Sequence, residues 1–369
     1  MERILESLRT LKDNSARQYA ITNRTTASKY SNKQKKMITM KYILTYGENH
    51  ERYDLFRDLK SREDVQMQVR KEKKVNNKLI NLIKKIHLSS TISRKINLPF
   101  KNIWFKKDAI SFEENQEYCL IIVDMALITF SQKELNSFVN QPKVRTVLVL
   151  INSYDSETMK ELGIKSKIRK TKWNDIYSFD MDDVKKHNFK PLSYCYYSTH
   201  DISNDRKVVD NDAYYIGALK ESRKKIVFSV LDRLQRNNVK FDFHLMKLWK
   251  DRDKSYPYET IVDYFTATEK KISYDEVLKG SSHSNVIIEI VQGEQGGPTL
   301  RYYEAVTLNR KLLTNNANIK QYPFYNPNYM RVFKDADDID IGWLMDREDV
   351  NYCYNGEFSP NNMLKTVLK

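Results

Sequence analysis

Three apolar runs constrain this chain more than any other feature: Leu120–Val123, Val144–Leu150 (VRTVLVL) and Val286–Val291 (VIIEIV). They are short, rich in branched residues and nearly free of polar positions. Such runs suit strands of a parallel sheet covered by helices on both faces. Further strands are expected at Ile38–Tyr46, Asp175–Phe179 and Leu192–Tyr197, then at Tyr214–Gly217, Phe241–Met246, Lys311–Thr314 and Met330–Phe333. Helical spacing recurs between them, at Tyr53–Leu59, Glu221–Gln235, Tyr274–Lys279 and Thr299–Leu308. Strands alternating with helices in both halves predict two α/β domains with parallel sheets. The polar stretch Ser198–Asp212 reads as the hinge, and no repeat of solenoid length is present.

Length agrees with this division. The chain has 369 residues, and single cores stop growing at about 250–300. The expected parts are a basic, poorly ordered extension (1–36), an acceptor-side Rossmann-like domain (37–200) and a donor-binding domain (213–369). Apolar residues make up 40% and charged residues 30%, which excludes disorder as the main state. With 9 Gly and 8 Pro, collagen-like and propeller designs are excluded too. Cys119, Cys195 and Cys353 lie too far apart for a zinc-type spacing, and a reducing cytoplasm fits them. The run Tyr118–Phe130 is too short to cross a bilayer, and Asp124 interrupts it. Residues 1–37 lack an apolar leader core, so a cytoplasmic protein is expected.

The net charge of +15 favours anionic partners: nucleic acid, an acidic membrane surface or a phosphorylated substrate. Within the strongly basic region Arg70–Lys107, Leu79, Ile80, Leu82, Ile83 and Ile86 recur at helical spacing. That face is expected to be core, with the lysines facing solvent or an anion.

The segment Val286–Asn316 gathers the most chemistry. A buried strand runs into Gln292–Pro298, which contains Gly296-Gly297, and a helix opens at Thr299. Paired glycines let backbone approach closely, and a helix start offers N–H groups and a positive dipole end to phosphate. Arg301 in the first turn suits a diphosphate, and Glu304 suits ribose hydroxyls. A plain strand-to-helix turn explains the glycines equally well, but not Arg301 together with Glu304. G-x-G-x-x-G and G-x-x-x-x-G-K-[ST] are both absent, which disfavours dinucleotide and P-loop sites. Asp180-Met181-Asp182 has the spacing of a metal motif but reads better as a helix cap.

At these residues the chain resembles a family. EIVQGEQGGPTLRYYEA followed by KLLTNN resembles bacterial GT-B glycosyltransferases of lipopolysaccharide and capsule biosynthesis, as do WNDIYSFDMDDVKKHNFKPLSYCYY and YYIGALKESRKKIVFSVLDRL. The resemblance covers about half of the chain. It departs from the E-x-x-x-x-x-x-x-E pattern of retaining transferases, since Gly296 stands where the first Glu would be. It implies a GT-B-like α/β fold, two Rossmann-like domains facing each other across a cleft, with the segment after Asp335 packing back on the first. It further implies a metal-independent glycosyltransferase with a nucleotide-diphosphate sugar as donor substrate and no cofactor. Glu304 would bind the donor ribose. Gln295, Gly296, Gly297 and Thr299 would line the diphosphate, and Arg301 would stabilise the leaving group. Gly217 would sit close to the donor phosphates, with Arg223 a second cation.

The acceptor side holds three candidates for a general base, Glu48, His50 and Asp124, each at the end of an expected strand. The expected acceptor is a growing surface glycan, free or lipid-linked, with an anionic membrane surface among the partners and the enzyme peripheral on the inner face. Two competing readings are an inactive glycosyltransferase-like assembly partner and a basic nucleic-acid-binding protein. The latter draws on the charge and on aromatics set among lysines, as in Trp104-Phe105-Lys106-Lys107 and Tyr256-Pro257-Tyr258.

Overall fold

The computed structural model describes residues 40–47, 55–89, 92, 98, 100–106, 110–192, 209–219, 221–247, 272–291 and 296–368. Of these, Met40 and Phe112–Glu117 fall outside the compact unit that holds both sheets.

The first sheet comprises β1 (Lys41–Gly47), β2 (Val65–Arg70), β3 (Tyr118–Val123), β4 (Val144–Leu150), β5 (Asp175–Ser178) and β6 (Lys190–Pro191). All are parallel, in the order β2-β1-β3-β4-β5-β6. Every residue of β3 is buried, as a strand covered on both faces requires. The helices are α1 (Lys78–Leu88), α2 (Gln132–Val139), α3 (Glu157–Glu161), α4 (Ile164–Lys170) and α5 (Met181–His187). Strand β2 went unread in the sequence, although Val65, Met67 and Val69 alternate. Helix α2 was also missed, although Ser131 and Glu134 close a reciprocal capping box at its start.

The second sheet repeats the plan with β7 (Asn211–Leu219), β8 (Phe241–Lys247), β9 (Ser284–Glu289), β10 (Lys311–Thr314) and β11 (Met330–Val332). It too is parallel, in the order β11-β10-β9-β7-β8. Its helices are α6 (Glu221–Arg236), α7 (Tyr274–Ser282), α8 (Leu300–Leu308), α9 (Ile341–Met345) and α10 (Pro360–Val367). In α6, Val227, Val230, Leu231 and Leu234 point into the core at helical spacing and pack with Tyr215, Phe243, Ile288 and Trp343. The architecture is therefore two Rossmann-like α/β sheets. In each, the chain pairs its first two strands, returns past the first and continues the other way. This places a topological switch point between β1 and β3, and another between β7 and β9. In open α/β sheets, ligands bind outside the carboxyl ends of strands at such points.

Some expectations need amendment. Within Tyr53–Leu59 the described residues form only a short 3-10 turn, Arg57–Leu59. Leu192 follows β6 and donates its N–H to the Ser178 carbonyl at 2.9 Å, while 193–208, most of the expected last strand and hinge, lie outside the described residues. Asn211 already belongs to β7. The apolar face of α1, expected in the core, is exposed: Leu79, Ile80, Leu82, Ile83 and Ile86 all face solvent. Helix α10 packs back on the first sheet, as expected for the segment after Asp335. Arg62 donates to Asn361 Oδ1 at 3.1 Å, Ser359 Oγ donates to Asp58, and Tyr177 Oη donates to the Thr366 carbonyl at 3.3 Å. Among the described residues, no helix is long and apolar enough to cross a membrane.

Lys311, at the start of β10, is fully buried. Its ammonium donates to the Trp343 and Asp346 carbonyls at 3.1 and 2.7 Å and lies 3.3 Å from the Glu348 carboxylate. Lys311→Met leaves these acceptors without a donor, so chemical denaturation should show a loss of about 2–4 kcal/mol.

Candidate functional site

At the second switch point the carboxyl end of β7 carries Tyr215 and Gly217 on one face, and the first turn of α6 carries Arg223. The absent side chain of Gly217 leaves needed room. A β-carbon there would lie 2.6 Å from Tyr215 Oη and 3.3 Å from Arg223 Nη1. Burial raises the Tyr215 phenol above its ordinary pKa, while Arg223 and then Arg301 pull it down. Arg223 thus lies beside the buried phenol, and the charge of Arg301, from a second helix start, acts on it as well. The structure sets Gly217 and Arg223 beside Tyr215, a residue not singled out from the sequence. The signal was an aromatic two residues before the only glycine of its strand.

Arg301 enters from α8. Thr299 caps that helix, its Oγ1 accepting the Arg301 N–H at 3.2 Å, while the Thr299 N–H donates to Glu289 Oε1 at 2.6 Å. Glu289 closes β9, is fully buried, and accepts from Thr314 Oγ1 at 2.6 Å. Burial raises its pKa, and the Thr314, Thr299 and Arg301 contacts oppose the rise. This carboxylate was also missed, although it is the one charge inside VIIEIV.

Glu304, expected to meet ribose hydroxyls, is fully buried within the protein. Its carboxylate pairs with Arg301 at 2.7 Å and accepts from Tyr274 Oη and Ser281 Oγ, both at 3.0 Å. Burial raises its pKa and Arg301 lowers it. The ribose assignment is corrected: α7 covers Glu304, whose observed work is to hold Arg301.

The glycine pair also needs correcting. A β-carbon on Gly296 would lie 2.5 Å from Asp182 Oδ2 and 2.8 Å from Asp180 Oδ1, and one on Gly297 would lie 2.3 Å from the Phe179 ring. The close approach that these glycines permit is to the protein, at the carboxyl end of β5. Two adjacent carboxylates repel a diphosphate rather than hold one. The same junction includes the Met181 N–H donating to Tyr322 Oη at 3.2 Å and Lys185 Nζ donating to Gln321 Oε1 at 2.8 Å. Asp180 is the cap of α5, accepting the Asp182 N–H at 3.0 Å. Gln295 lies outside the described residues.

On the first sheet, Glu48 and His50 lie outside the described residues, directly after Gly47 at the end of β1. Asp124, at the end of β3, is closed to solvent. It accepts the N–H groups of Met125, Ile151 and Asn152 at 2.6, 3.0 and 2.9 Å. Burial pushes its pKa up to about 6 against these hydrogen bonds. It fastens the loop after β4 and faces no open surface, which removes it as a candidate base. Among the described residues, Asp155, Asp183 and His187 bring metal-ligating atoms within 4.8 Å of one another. Their carboxylates already serve the protein: Asp155 holds Lys165 and His187, and Asp183 accepts from the Tyr154 N–H and Ser178 Oγ.

No protein-family model matches the chain, and no curated protein sequence matches it. Among solved structures, the chain is similar to the spinosyn rhamnosyltransferase SpnG, at 8% identity and a TM-score of 0.40, over 89% of this chain and 99% of that one. It is similar to an α-glucosyltransferase in complex with UDP and a mismatched DNA 13-mer, at 11% identity and 0.48, over 89% and 100%. It is also similar to the pneumococcal O-GlcNAc transferase GtfA in complex with UDP and GlcNAc, at 10% identity and 0.32, over 67% and 50%.

Two outcomes follow from the buried charges. Glu304→Ala leaves Arg301 largely buried and short of its carboxylate partner, so denaturation should show a loss of about 3–5 kcal/mol. Asp124 gives a pH effect of definite sign. Its proton is held more tightly in the folded chain than in the unfolded one, so its contribution to stability falls as pH rises from about 4 to about 6. The fall is on the order of 3 kcal/mol. Urea denaturation at both ends of that window should show a smaller fall, or a larger rise, in Asp124→Asn than in the parent chain.

Proposed function

We propose that the chain is a GT-B-type glycosyltransferase that takes a sugar from a nucleotide-diphosphate donor held at the β7–β9 switch point. One observation carries the reading: Arg223 lies against Gly217 and the buried Tyr215, and the charge of Arg301 acts on the same phenol, each arginine belonging to the first turn of a helix. Two guanidinium groups backed by two helix N-termini match the charge and spread of a diphosphate. The sequence resemblance to lipopolysaccharide and capsule transferases adds the class of acceptor, a growing surface glycan.

The chemistry follows from charge. When the glycosidic bond to the donor breaks, negative charge grows on the departing diphosphate, and cations already in place stabilise it without reorganising. Glu304 serves that step at one remove, by pairing with the Arg301 side chain, and Glu289 by holding the Thr299 N–H at the start of the same helix. The acceptor hydroxyl needs a base, which we assign to Glu48 or His50, the residues that follow β1 in the sequence. Metal-independent transfer is part of the proposal, since the two arginines carry the role of the cation. Of the aromatics behind the nucleic-acid reading, Phe105 is buried and Trp104 Nε1 donates to His87 Nδ1 at 2.8 Å, while Tyr256 and Tyr258 lie outside the described residues.

Thermal denaturation with UDP, GDP or dTDP tests the donor site. At roughly 100 times Kd, the fitting nucleotide should add about 2.7 kcal/mol of stability, seen as a rise of a few degrees in Tm. Arg223→Ala should lose that rise while its own melting stays close to the parent's, since Arg223 takes no part in the buried Glu304 pair. Stabilisation by polynucleotide alone would refute the proposal. Nucleotide binding without sugar transfer to any glycan acceptor would leave the inactive assembly partner.

A further inference from the structure

Helix α1 sits inside out. At 100° per residue, Ile80, Leu79, Ile83, Ile86 and Leu82 span an arc of about 160°, and all five are exposed, Leu79 at 67% and Leu82 at 54%. The opposite arc, Asn81, Lys84 and Leu88, turns toward the protein. Lys84 is buried there, its ammonium donating to the Lys73 carbonyl at 2.8 Å and pairing with Glu72 at 2.7 Å. The helix start is fixed as well, since Asn77 Oδ1 accepts the Leu79 and Ile80 N–H groups at 2.9 and 3.1 Å. Through His87 and Trp104 it is tied to the 3-10 turn Lys101–Trp104. That turn and its leading residue expose two more large apolar side chains, Phe100 at 73% and Ile103. A monomer gains nothing by pinning a charged side chain inward and offering isoleucines to water. The arrangement is explained by an apolar phase outside.

Charge identifies that phase. Between Val65 and Lys106 the sequence holds eleven cations and a single acid, Glu72; of the cations, Arg70, Lys84 and Lys101 are buried, and Lys71, Lys73, Lys74, Lys78, Lys85 and Lys106 are exposed. Glu72 is the partner of Lys84, so it offsets none of the outer lysines. A second copy docked here by a two-fold axis would set two such cationic fields against each other, a costly contact. An anionic bilayer accepts both features at once: apolar side chains enter the acyl boundary while the lysines beside them meet phosphate headgroups.

We infer that the outward face of α1, with Phe100 and Ile103, is a membrane-insertion surface for anionic lipid. The inference stands apart from the donor-site reading, because it uses no residue of the second sheet. It differs from a purely electrostatic tether in requiring apolar contact, and that difference is measurable.

The test is co-sedimentation of the full chain with vesicles of phosphatidylcholine alone, or mixed equally with phosphatidylglycerol. The parent chain should bind the mixed vesicles and retain part of that binding at high salt. The triple variant Leu82→Gln, Ile83→Gln, Ile86→Gln should bind them at least about tenfold more weakly. Its Tm should be unchanged, because these side chains touch no core. The charge variant Lys74→Glu, Lys85→Glu should lose its binding at low salt, and it keeps the test decisive if the triple variant folds poorly. Equal binding to neutral and mixed vesicles, no binding to either, or a triple variant that binds like the parent would overturn the inference. So would a parent dimer on size exclusion that the triple variant abolishes without a change in lipid binding. The nucleotide-induced rise in Tm, measured on the same variants, separates this outcome from failure of the donor site.

Discussion

Arg301 is paired with Glu304, a carboxylate that water does not reach, and the second sheet is arranged around that pair. Glu289 closes β9 and Glu304 lies one turn into α8, so strand end and helix start share one charged centre. Burying charge is expensive, and it persists only where every group finds a partner. Thr299, Thr314, Tyr274 and Ser281 supply the remaining hydrogen bonds to the two acids. The outcome is a guanidinium whose direction is set by the protein itself.

A second constraint is steric. Gly296 and Gly297 let the loop after β9 lie directly against Asp180, Asp182 and Phe179. The carboxyl ends of β5 and β9 are therefore brought into contact by the absence of two side chains. Asn316 spans the same place, its amide donating to the Gly296 carbonyl at 3.3 Å. Glycine here serves protein–protein approach within one chain, whereas pattern alone pointed to a ligand.

Much of the fold was legible because buried parallel strands carry their own signature. β4 and β10 were read to the residue, and the strands of the second sheet to within a few residues, since VRTVLVL, VIIEIV and KLLT leave no other use for so many branched side chains. β2 was not read, being half-exposed and carrying only three apolar positions. Within the proposed donor site, Arg223, Arg301 and Gly217 could be singled out because helix starts and strand ends are visible in sequence. The fates of Glu304 and Gly296 could not, because both depend on elements distant in the chain: α7 closes over the first, and α5 abuts the second. For α1 the periodicity was right and the facing wrong. A hydrophobic stripe tells which residues share a side, and only the three-dimensional partners tell whether that side meets core or something outside.

Helix α10 has a consequence for how the protein comes into being. Ser359 and Asp58 are joined across 301 positions, and Thr366 meets Tyr177. On a ribosome adding about 5–20 residues per second, the first sheet, whose last strand ends at Pro191, waits roughly 9–35 s for the helix that completes it. During that interval the turn at Arg57–Leu59 and the edge near Tyr177 stand uncovered, in a compartment crowded with other nascent chains. The half made first is thus finished late, and its maturation is timed by translation of a segment far downstream in the message.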